Sequence, residues 1–183
     1  IGHAGILRAL LPSDLDEVRR DELVALIQMK AVGEVNSFAL RCGLSAEASR
    51  ALADVCLWHG EPERLPQTVE QVPEAVRPAF AELLELCQQL RDRFPQQRLH
   101  LDCGELTGYH YQTGVTWAAY APGQGQALAR GGRYDGIGSA YGANRPATGF
   151  SADLNLLCGF DANEVEGLIW APVGQEPELL AAI

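Results

Sequence analysis

The sequence lacks long hydrophobic runs, has few basic residues and contains no paired cysteine motif. No apolar stretch approaches the ~20 residues that span a bilayer, and the first residues do not form a basic segment followed by an apolar one. We therefore expect neither a membrane span nor a signal peptide. Only 14 lysines and arginines stand against 24 acidic residues, which leaves a net charge of -10. Because nucleic-acid binding needs a basic face, this balance argues against a nucleic-acid partner.

The cysteines are odd in number, 5 in all, and none of them forms a CxxC pair. They are Cys42, Cys56, Cys87, Cys103 and Cys158. This usage indicates reduced, mostly buried thiols in a cytoplasmic protein. A zinc site made of Cys103, His100 and His110 would have a spacing that fits no structural zinc pattern. We expect neither a metal nor a cofactor.

What the chain does contain is a helical first half and a strand-rich second half, which together predict an α+β fold. Residues 1–12 are interpreted as the end of an upstream part of the core. Residues 13–96 are interpreted as a helical insertion without strands, and residues 97–183 as the antiparallel-sheet half. Ser13 and Ser45 are the expected helix N-caps.

Apolar residues at helical spacing predict a long amphipathic helix between Pro73 and Pro95, starting near Arg77 and extending its stripe to Phe94. Alternation and β-branched residues predict the strands that follow. These predicted strands are Leu99–Gly104, Val115–Tyr120, Gln126–Ala129, Ala147–Ser151 and Gly167–Pro172, with a glycine-rich loop over residues 131–146.

Three arginines, Arg130, Arg133 and Arg145, lie close together in this acidic chain, beside Tyr134 and Asp135. A guanidinium presents a planar fork of donors to a carboxylate or phosphate. One interpretation is a pocket for a small molecule that carries an anionic group. The alternative is a structural ion pair between Arg133 and Asp135 beside a tight turn.

Three segments carry a resemblance to a known family: residues 108–115 (GYHYQTGV), 129–135 (ARGGRYD) and 145–154 (RPATGFSADL). In this order and spacing they resemble the histidyl-tRNA synthetase-like family and, within it, the regulatory subunits of ATP phosphoribosyltransferase. The resemblance implies an antiparallel sheet of the class II aminoacyl-tRNA synthetase type with a helical insertion. It also implies that an upstream part, carrying two class II motifs and the main dimer interface, is absent.

Departures from the synthetase pattern concern its catalytic residues. Thr107 stands where the synthetases have an arginine that promotes amino-acid activation, and Gln112 replaces a tyrosine that contacts histidine. Asn155 and Leu156 replace a Glu-Arg pair whose arginine binds ATP. Because such cations act together on the transition state, their joint loss predicts a protein that does not form adenylate.

The resemblance also implies a retained histidine pocket, to which we assign Tyr111, Gln112, Arg130, Arg133, Tyr134 and Gly149, with the ring of Tyr134 aimed at the sheet face that Tyr111 reaches. The implied function is a non-catalytic regulatory subunit. It would join the short-form catalytic subunit of ATP phosphoribosyltransferase in the first step of histidine biosynthesis and permit feedback inhibition by histidine. Self-association is expected. The alternatives are an active histidyl-tRNA synthetase and a free-standing histidine-binding module.

Overall fold

The computed structural model describes residues 1–12, 15–108, 110–138, 142 and 145–159. They form a helical layer and an antiparallel sheet, which is the predicted α+β arrangement. The helices are α1 (Ala4–Leu10), α2 (Glu17–Gln28), α3 (Val32–Arg41), α4 (Ala46–Leu57), α5 (Arg77–Arg93) and α6 (Leu154–Cys158). The strands are β1 (Gly2–His3), β2 (His59–Gly60), β3 (Leu101–Asp102), β4 (Val115–Ala119), β5 (Ala129–Arg133) and β6 (Thr148–Ala152). Short 3-10 helices at Pro62–Arg64, Val69–Gln71 and Glu74–Val76 connect β2 to α5.

The helix boundaries follow local capping chemistry. The Ser45 hydroxyl accepts a hydrogen bond from the Ala48 amide at 3.1 Å, which confirms the predicted cap of α4. The helix expected from Ser13 begins instead at Glu17, because the Asp16 carboxylate accepts from the Arg19 amide at 2.8 Å. Ser13 itself lies outside the described residues. An oxygen acceptor at the N-cap satisfies an amide that the helix leaves unpaired.

Helix α5 begins at Arg77 as predicted and buries Phe80, Leu83 and Cys87. The predicted apolar stripe was too long at its end. Phe94 is the C-cap residue rather than part of the helix. Its backbone, with φ -134° and ψ 67°, has left the helical conformation, and its side chain is 52% exposed.

The larger sheet has the order β1-β4-β5-β6, with every neighbouring pair antiparallel. The predicted strand at 126–129 and the loop from 131 were wrong, because the strand runs over Ala129–Arg133. Gly131 belongs in it because a Cβ there would come within 2.5 Å of the Gly149 carbonyl oxygen on β6. The glycines therefore mark a close approach of two strands.

Two other strand predictions need correction. The block of residues 13–96 was expected to contain helices alone, yet it contains β2, which pairs with β3 in a separate two-stranded sheet. The strand predicted over Leu99–Gly104 is shorter, because only Leu101 and Asp102 have a partner in β2. The strand predicted over Gly167–Pro172 lies outside the described residues.

The buried apolar side chains form one cluster that lies mainly in the helical layer. Its largest fully buried members include Ile6, Leu7, Leu23, Ile27, Phe38, Leu52, Phe80, Leu83 and Leu101. They come from α1, from the helical block and from β3, so the three predicted segments share one core. The division of the chain into those segments stays a prediction.

Candidate functional site

One face of the larger sheet carries a row of positions that is almost free of side chains. Gly2 on β1 pairs with Thr116 on β4, Thr116 pairs with Gly132 on β5, and Gly132 pairs with Gly149 on β6. Directly paired residues of antiparallel strands point to the same face of a sheet. These four residues, which we call the glycine row, therefore cross the sheet on one face with Thr116 as their only side chain.

Other parts of the chain pack directly onto the glycine row. A Cβ at Gly2 would lie 2.6 Å from the Asp102 carbonyl oxygen, and one at Gly132 would lie 2.9 Å from Gln112 Nε2. A Cβ at Gly149 would collide with the hydroxyl of Tyr134. Each glycine is thus required by a neighbour that approaches its backbone.

The turn between β3 and β4 brings Gln112 and Tyr111 to this face. Gly108 has a φ of +79°, and its carbonyl accepts from the amides of Tyr111 at 3.0 Å and Gln112 at 2.9 Å. Arg8 of α1 donates to the Gln112 carbonyl at 2.8 Å, which fixes the end of the turn. The rings of Tyr111 and Tyr134 meet edge to face with centroids 6.5 Å apart, in agreement with the predicted orientation of Tyr134.

On this face, two buried polar atoms have no hydrogen-bond partner among the described residues. They are Oε1 of Gln112 and Oγ1 of Thr116. Gln112 is 7% exposed and Thr116 is 5% exposed. A neutral acceptor and a neutral hydroxyl are therefore buried beside the glycine row.

The structure places the side chain of Arg133 on the face of the sheet opposite the glycine row. Its position on β5 is adjacent to Gly132, so its side chain projects from the opposite face. There its Nε donates to both carboxylate oxygens of Asp135, at 3.0 and 2.9 Å. Glu82 of α5 lies 3.9 Å from Arg133 Nη1 and 3.2 Å from Nε2 of His3. The structural ion pair that the sequence left open is therefore formed.

Asp135 also orders the segment that follows Tyr134. Its carboxylate accepts from the Ala147 amide at 3.2 Å, and its own amide donates to the Thr113 hydroxyl at 3.0 Å. The Arg133 carbonyl accepts from the Thr113 amide at 2.8 Å. These contacts hold both ends of the segment that carries Tyr134.

Arg130 does lie on the face of the glycine row, but two residues along β5 from Gly132. It pairs with Ala118 and Ser151, and it borders a cavity of about 270 Å³ together with Ser151 and Asp153. Of the six predicted site residues, the structure therefore brings together Tyr111, Gln112, Tyr134 and Gly149. Thr116 and Gly132 were missed, and only the strand register reveals them.

The positions that depart from the synthetase pattern carry no cation. The amide of Thr107 donates to Glu105 Oε1 at 2.8 Å, and its hydroxyl contacts the same oxygen. Leu156 lies in the first turn of α6, where its amide donates to the capping Asp153 carboxylate at 3.1 Å. Side chains of this kind cannot offset phosphate charge.

Cys103, one residue of the zinc site considered from the sequence, is a buried member of the apolar core, and burial raises the pKa of its thiol to about 12. Among the described residues, no group of three His, Cys, Asp or Glu side chains could hold a metal ion. No helix in the described part of the chain is both long enough and apolar enough to cross a membrane.

Helices packed beside an antiparallel sheet agree with the class II aminoacyl-tRNA synthetase type of fold that the sequence resemblance implies. A family model described as "Histidyl-tRNA synthetase" matches residues 1–157, so the chain belongs to the histidyl-tRNA synthetase family. The crystal structure of "an ATP phosphoribosyltransferase regulatory subunit/histidyl-tRNA synthetase" from Bacillus halodurans superimposes with a TM-score of 0.69 at 26% identity. The match covers 86% of this chain and 42% of that one.

The relatives narrow the resemblance within this family. A protein of Pseudomonas fluorescens named ATP phosphoribosyltransferase regulatory subunit is 43% identical over 94% of this chain and 45% of its own length. A chain of the "ATP phosphoribosyl transferase (HisG:HisZ) complex" from Thermotoga maritima shares the fold, with a TM-score of 0.59 at 19% identity over 82% of this chain and 51% of that one. The chain thus spans about half the length of the curated relatives it matches. The resemblance stated from the sequence is confirmed.

Proposed function

We propose that the protein carrying this chain is a non-catalytic regulatory subunit of ATP phosphoribosyltransferase. It joins the short-form catalytic subunit in the cytoplasm, supports the first step of histidine biosynthesis and allows histidine to inhibit that step. The observation that supports the proposal is a Tyr134–Gly149 contact together with positions that carry no cation. Tyr134 still packs over Gly149, while Thr107 and Leu156 stand where the synthetases have arginines.

Feedback inhibition follows from linkage. If histidine binds one state of the complex more tightly than another, it shifts the complex toward that state by its difference in affinity. The pocket that would receive histidine consists of Tyr111, Gln112, Tyr134 and Gly149 on the face of the glycine row. Arg130 lies on the same face, two residues along β5 from Gly132, and would offer its guanidinium to the ligand's carboxylate.

Reconstitution tests the proposal. The intact protein is mixed with the short-form catalytic subunit, and phosphoribosyl transfer is measured with and without histidine. We expect transfer to require the intact protein and histidine to inhibit it. A catalytic subunit that works equally well alone, and stays insensitive to histidine, would contradict the proposal and favour a free-standing histidine-binding module.

An ATP–pyrophosphate exchange assay tests the second candidate function, an active histidyl-tRNA synthetase. The intact protein should exchange no label above background when histidine is present, because the cations that stabilise the transition state are missing. Restoring arginine at Thr107 alone or at Leu156 alone should not rescue exchange. Adenylate formation by the unmodified protein would remove the regulatory interpretation.

Self-association is part of the proposal. Within the part of the chain that the structure describes, β6 is at the edge of the larger sheet, and β6 and the start of α6 carry Phe150, 70% exposed, and Leu154, 72% exposed. Exposed apolar side chains on a sheet edge favour contact with another chain. We expect the isolated chain to sediment as a dimer or larger species, and a monomer at micromolar concentration would contradict this.

A further inference from the structure

The chain at Tyr134 is held from two sides. On one side, the Tyr134 amide donates to the Ala147 carbonyl at 2.8 Å, and the Ala147 amide donates to the Asp135 carboxylate at 3.2 Å. On the other side lies Thr113, whose amide donates to the Arg133 carbonyl at 2.8 Å. Because residues 133 and 135 flank Tyr134, these contacts fix the chain immediately before and after it.

The hydroxyl of Thr113 joins both neighbours of Tyr134. It accepts from the Asp135 amide at 3.0 Å and donates to the Arg133 carbonyl at 3.4 Å. A hydroxyl has one O–H donor and two acceptor lone pairs, so it serves both neighbours at once. Valine has nearly the same shape without either function, whereas serine keeps both. The hydroxyl, rather than the bulk of the side chain, therefore bridges the two residues.

This bridge joins the two segments of the candidate pocket. Thr113 directly follows Gln112, at the end of the turn that carries Tyr111. The second segment carries Tyr134, and the rings of Tyr111 and Tyr134 meet edge to face with centroids 6.5 Å apart. Since each ring is placed by its own backbone, the spacing of the two rings depends on how the segments are connected.

The position of the Tyr134 hydroxyl is sensitive to this connection. The hydroxyl is at the far end of the ring, over Gly149. A small rotation of the backbone at Tyr134 therefore moves this oxygen further than it moves the Cα atom. Binding sites hold their contact atoms to within roughly 0.5 Å through supporting hydrogen bonds of this kind. Without the Thr113 hydroxyl, the Asp135 amide has lost its acceptor and the chain on that side of Tyr134 is less constrained.

We propose that Thr113 is a positioning residue of the candidate site. Its hydroxyl sets the place of Tyr134 over Gly149 and thereby the affinity of the pocket for histidine. This inference rests on the proposed function, because histidine is the ligand whose affinity it concerns. Thr113 acts through the backbone on either side of Tyr134 and not by contact with the ligand.

Calorimetric titration of the intact protein with histidine tests the inference. The variants are Thr113→Val, which removes the hydroxyl, and Thr113→Ser, which keeps it. Combining Thr113→Val with Tyr134→Phe measures the effect of the Thr113 hydroxyl when the Tyr134 hydroxyl is absent. Thr148→Val is the matched control, since Thr148 is exposed and pairs with Arg133 on the face opposite the glycine row.

We expect Thr113→Val to weaken histidine binding by no more than Tyr134→Phe does, about 2- to 13-fold, the effect of one hydrogen bond. In the Tyr134→Phe background it should cause no further loss, because the two changes act through the same group. Thr113→Ser and Thr148→Val should bind histidine like the wild type. If Thr113→Val does not fold, Thr113→Ala, which also lacks the hydroxyl and needs less space, is titrated in its place.

A merely structural role of Thr113 would give a different result. If Thr113→Val melts at a lower temperature but keeps the wild-type affinity, the inference is wrong and the proposed function stands. Losses of affinity that multiply in the double variant would also overturn the inference, because they would show that Thr113 does not act through Tyr134. If the wild type binds no histidine, the proposed function fails and this inference fails with it.

Discussion

Tyr134 contacts two other residues of the candidate site. Its ring meets that of Tyr111 edge to face, and its hydroxyl lies over Gly149. Tyr134→Phe keeps the ring and removes the hydroxyl. We expect histidine to bind the intact protein about 2- to 13-fold more weakly, because one net hydrogen bond of roughly 0.5–1.5 kcal/mol is lost. Inhibition of the reconstituted complex by histidine measures the effect.

The control for this change is Tyr120→Phe, at an exposed tyrosine just after β4. It should leave the inhibition constant and the assembly with the catalytic subunit unchanged. If Tyr134→Phe also leaves the inhibition constant unchanged, the pocket assignment is wrong.

A substitution at Gly149 tests whether the Tyr134 hydroxyl needs a residue without a side chain beneath it. In Gly149→Ala the new methyl group collides with the Tyr134 hydroxyl, and we expect a loss of about 1–3 kcal/mol from overpacking. Because the clash is with that oxygen, adding Tyr134→Phe should recover part of the loss. Urea denaturation of the two single variants and the double variant measures the coupling.

Gly136→Ala is the matched control, since a Cβ there would meet nothing within 4 Å. It should not couple to Tyr134→Phe. Changes in the free energy of unfolding that simply add for Gly149→Ala and Tyr134→Phe, within about 0.5 kcal/mol, would show that the two groups do not touch.

The helices were largely predictable from sequence, because their signals are local. Ser45 caps α4 by accepting a hydrogen bond from an amide only three residues further on, and the apolar spacing of α5 does not depend on distant residues. Strand β5 was misplaced because Gly131 and Gly132 favour a loop by propensity. They lie in a strand because distant backbone, the Gly149 and Val115 carbonyls, approaches them.

The same distinction separates the predicted and missed parts of the site. The pairing of Arg133 with Asp135 joins residues two apart, so the sequence could suggest it. The glycine row joins residues from four separate strands. The registers of β1 with β4 and of β4 with β5 bring Gly2, Thr116 and Gly132 together, and the register of β5 with β6 adds Gly149. No local pattern in the sequence contains that register.

Two glycines, one within helix α3 and one just after it, are expected to change stability in opposite directions when each is replaced by alanine. Gly33 lies within the helix, and a Cβ there would meet nothing within 4 Å. Gly33→Ala should stabilise the protein by about 0.4–1 kcal/mol, because alanine restricts the unfolded chain. Gly43 follows the helix with a φ of +66°, so Gly43→Ala should destabilise it by about 1–2 kcal/mol.

Urea denaturation measures the change in the free energy of unfolding for both variants, provided that its dependence on urea concentration (the m-value) stays the same. Neither glycine is near the glycine row, so histidine inhibition of the complex should be the same for both variants as for the wild type. Equal shifts in the same direction would contradict the assigned roles of the two positions.

The shared apolar core links the protonation of its cysteines to folding. Cys56, Cys87 and Cys103 are buried in the one apolar cluster. Burial raises the pKa of each of these thiols, for Cys103 from 9.0 to about 12. A thiol with a raised pKa in the folded state ionises more easily in the unfolded chain. The protonated thiol therefore contributes its full stability below the unfolded pKa, and that contribution is lost as the pH rises toward the folded pKa.

The pH window for Cys103 thus runs from about 9 to about 12. Between about pH 8 and pH 10.5, this thiol alone should lower the free energy of unfolding by about 2 kcal/mol, at ~1.4 kcal/mol for each pKa unit. The Cys103→Ala protein has no thiol to ionise at this position. Between the two pH values its free energy of unfolding should therefore fall by about 2 kcal/mol less than that of the wild type, whatever its stability at pH 8. Urea denaturation of both proteins at the two pH values, under reducing conditions, measures the difference. All other titrating groups are common to the two proteins and cancel, so equal losses would show that Cys103 is not held as a buried neutral thiol.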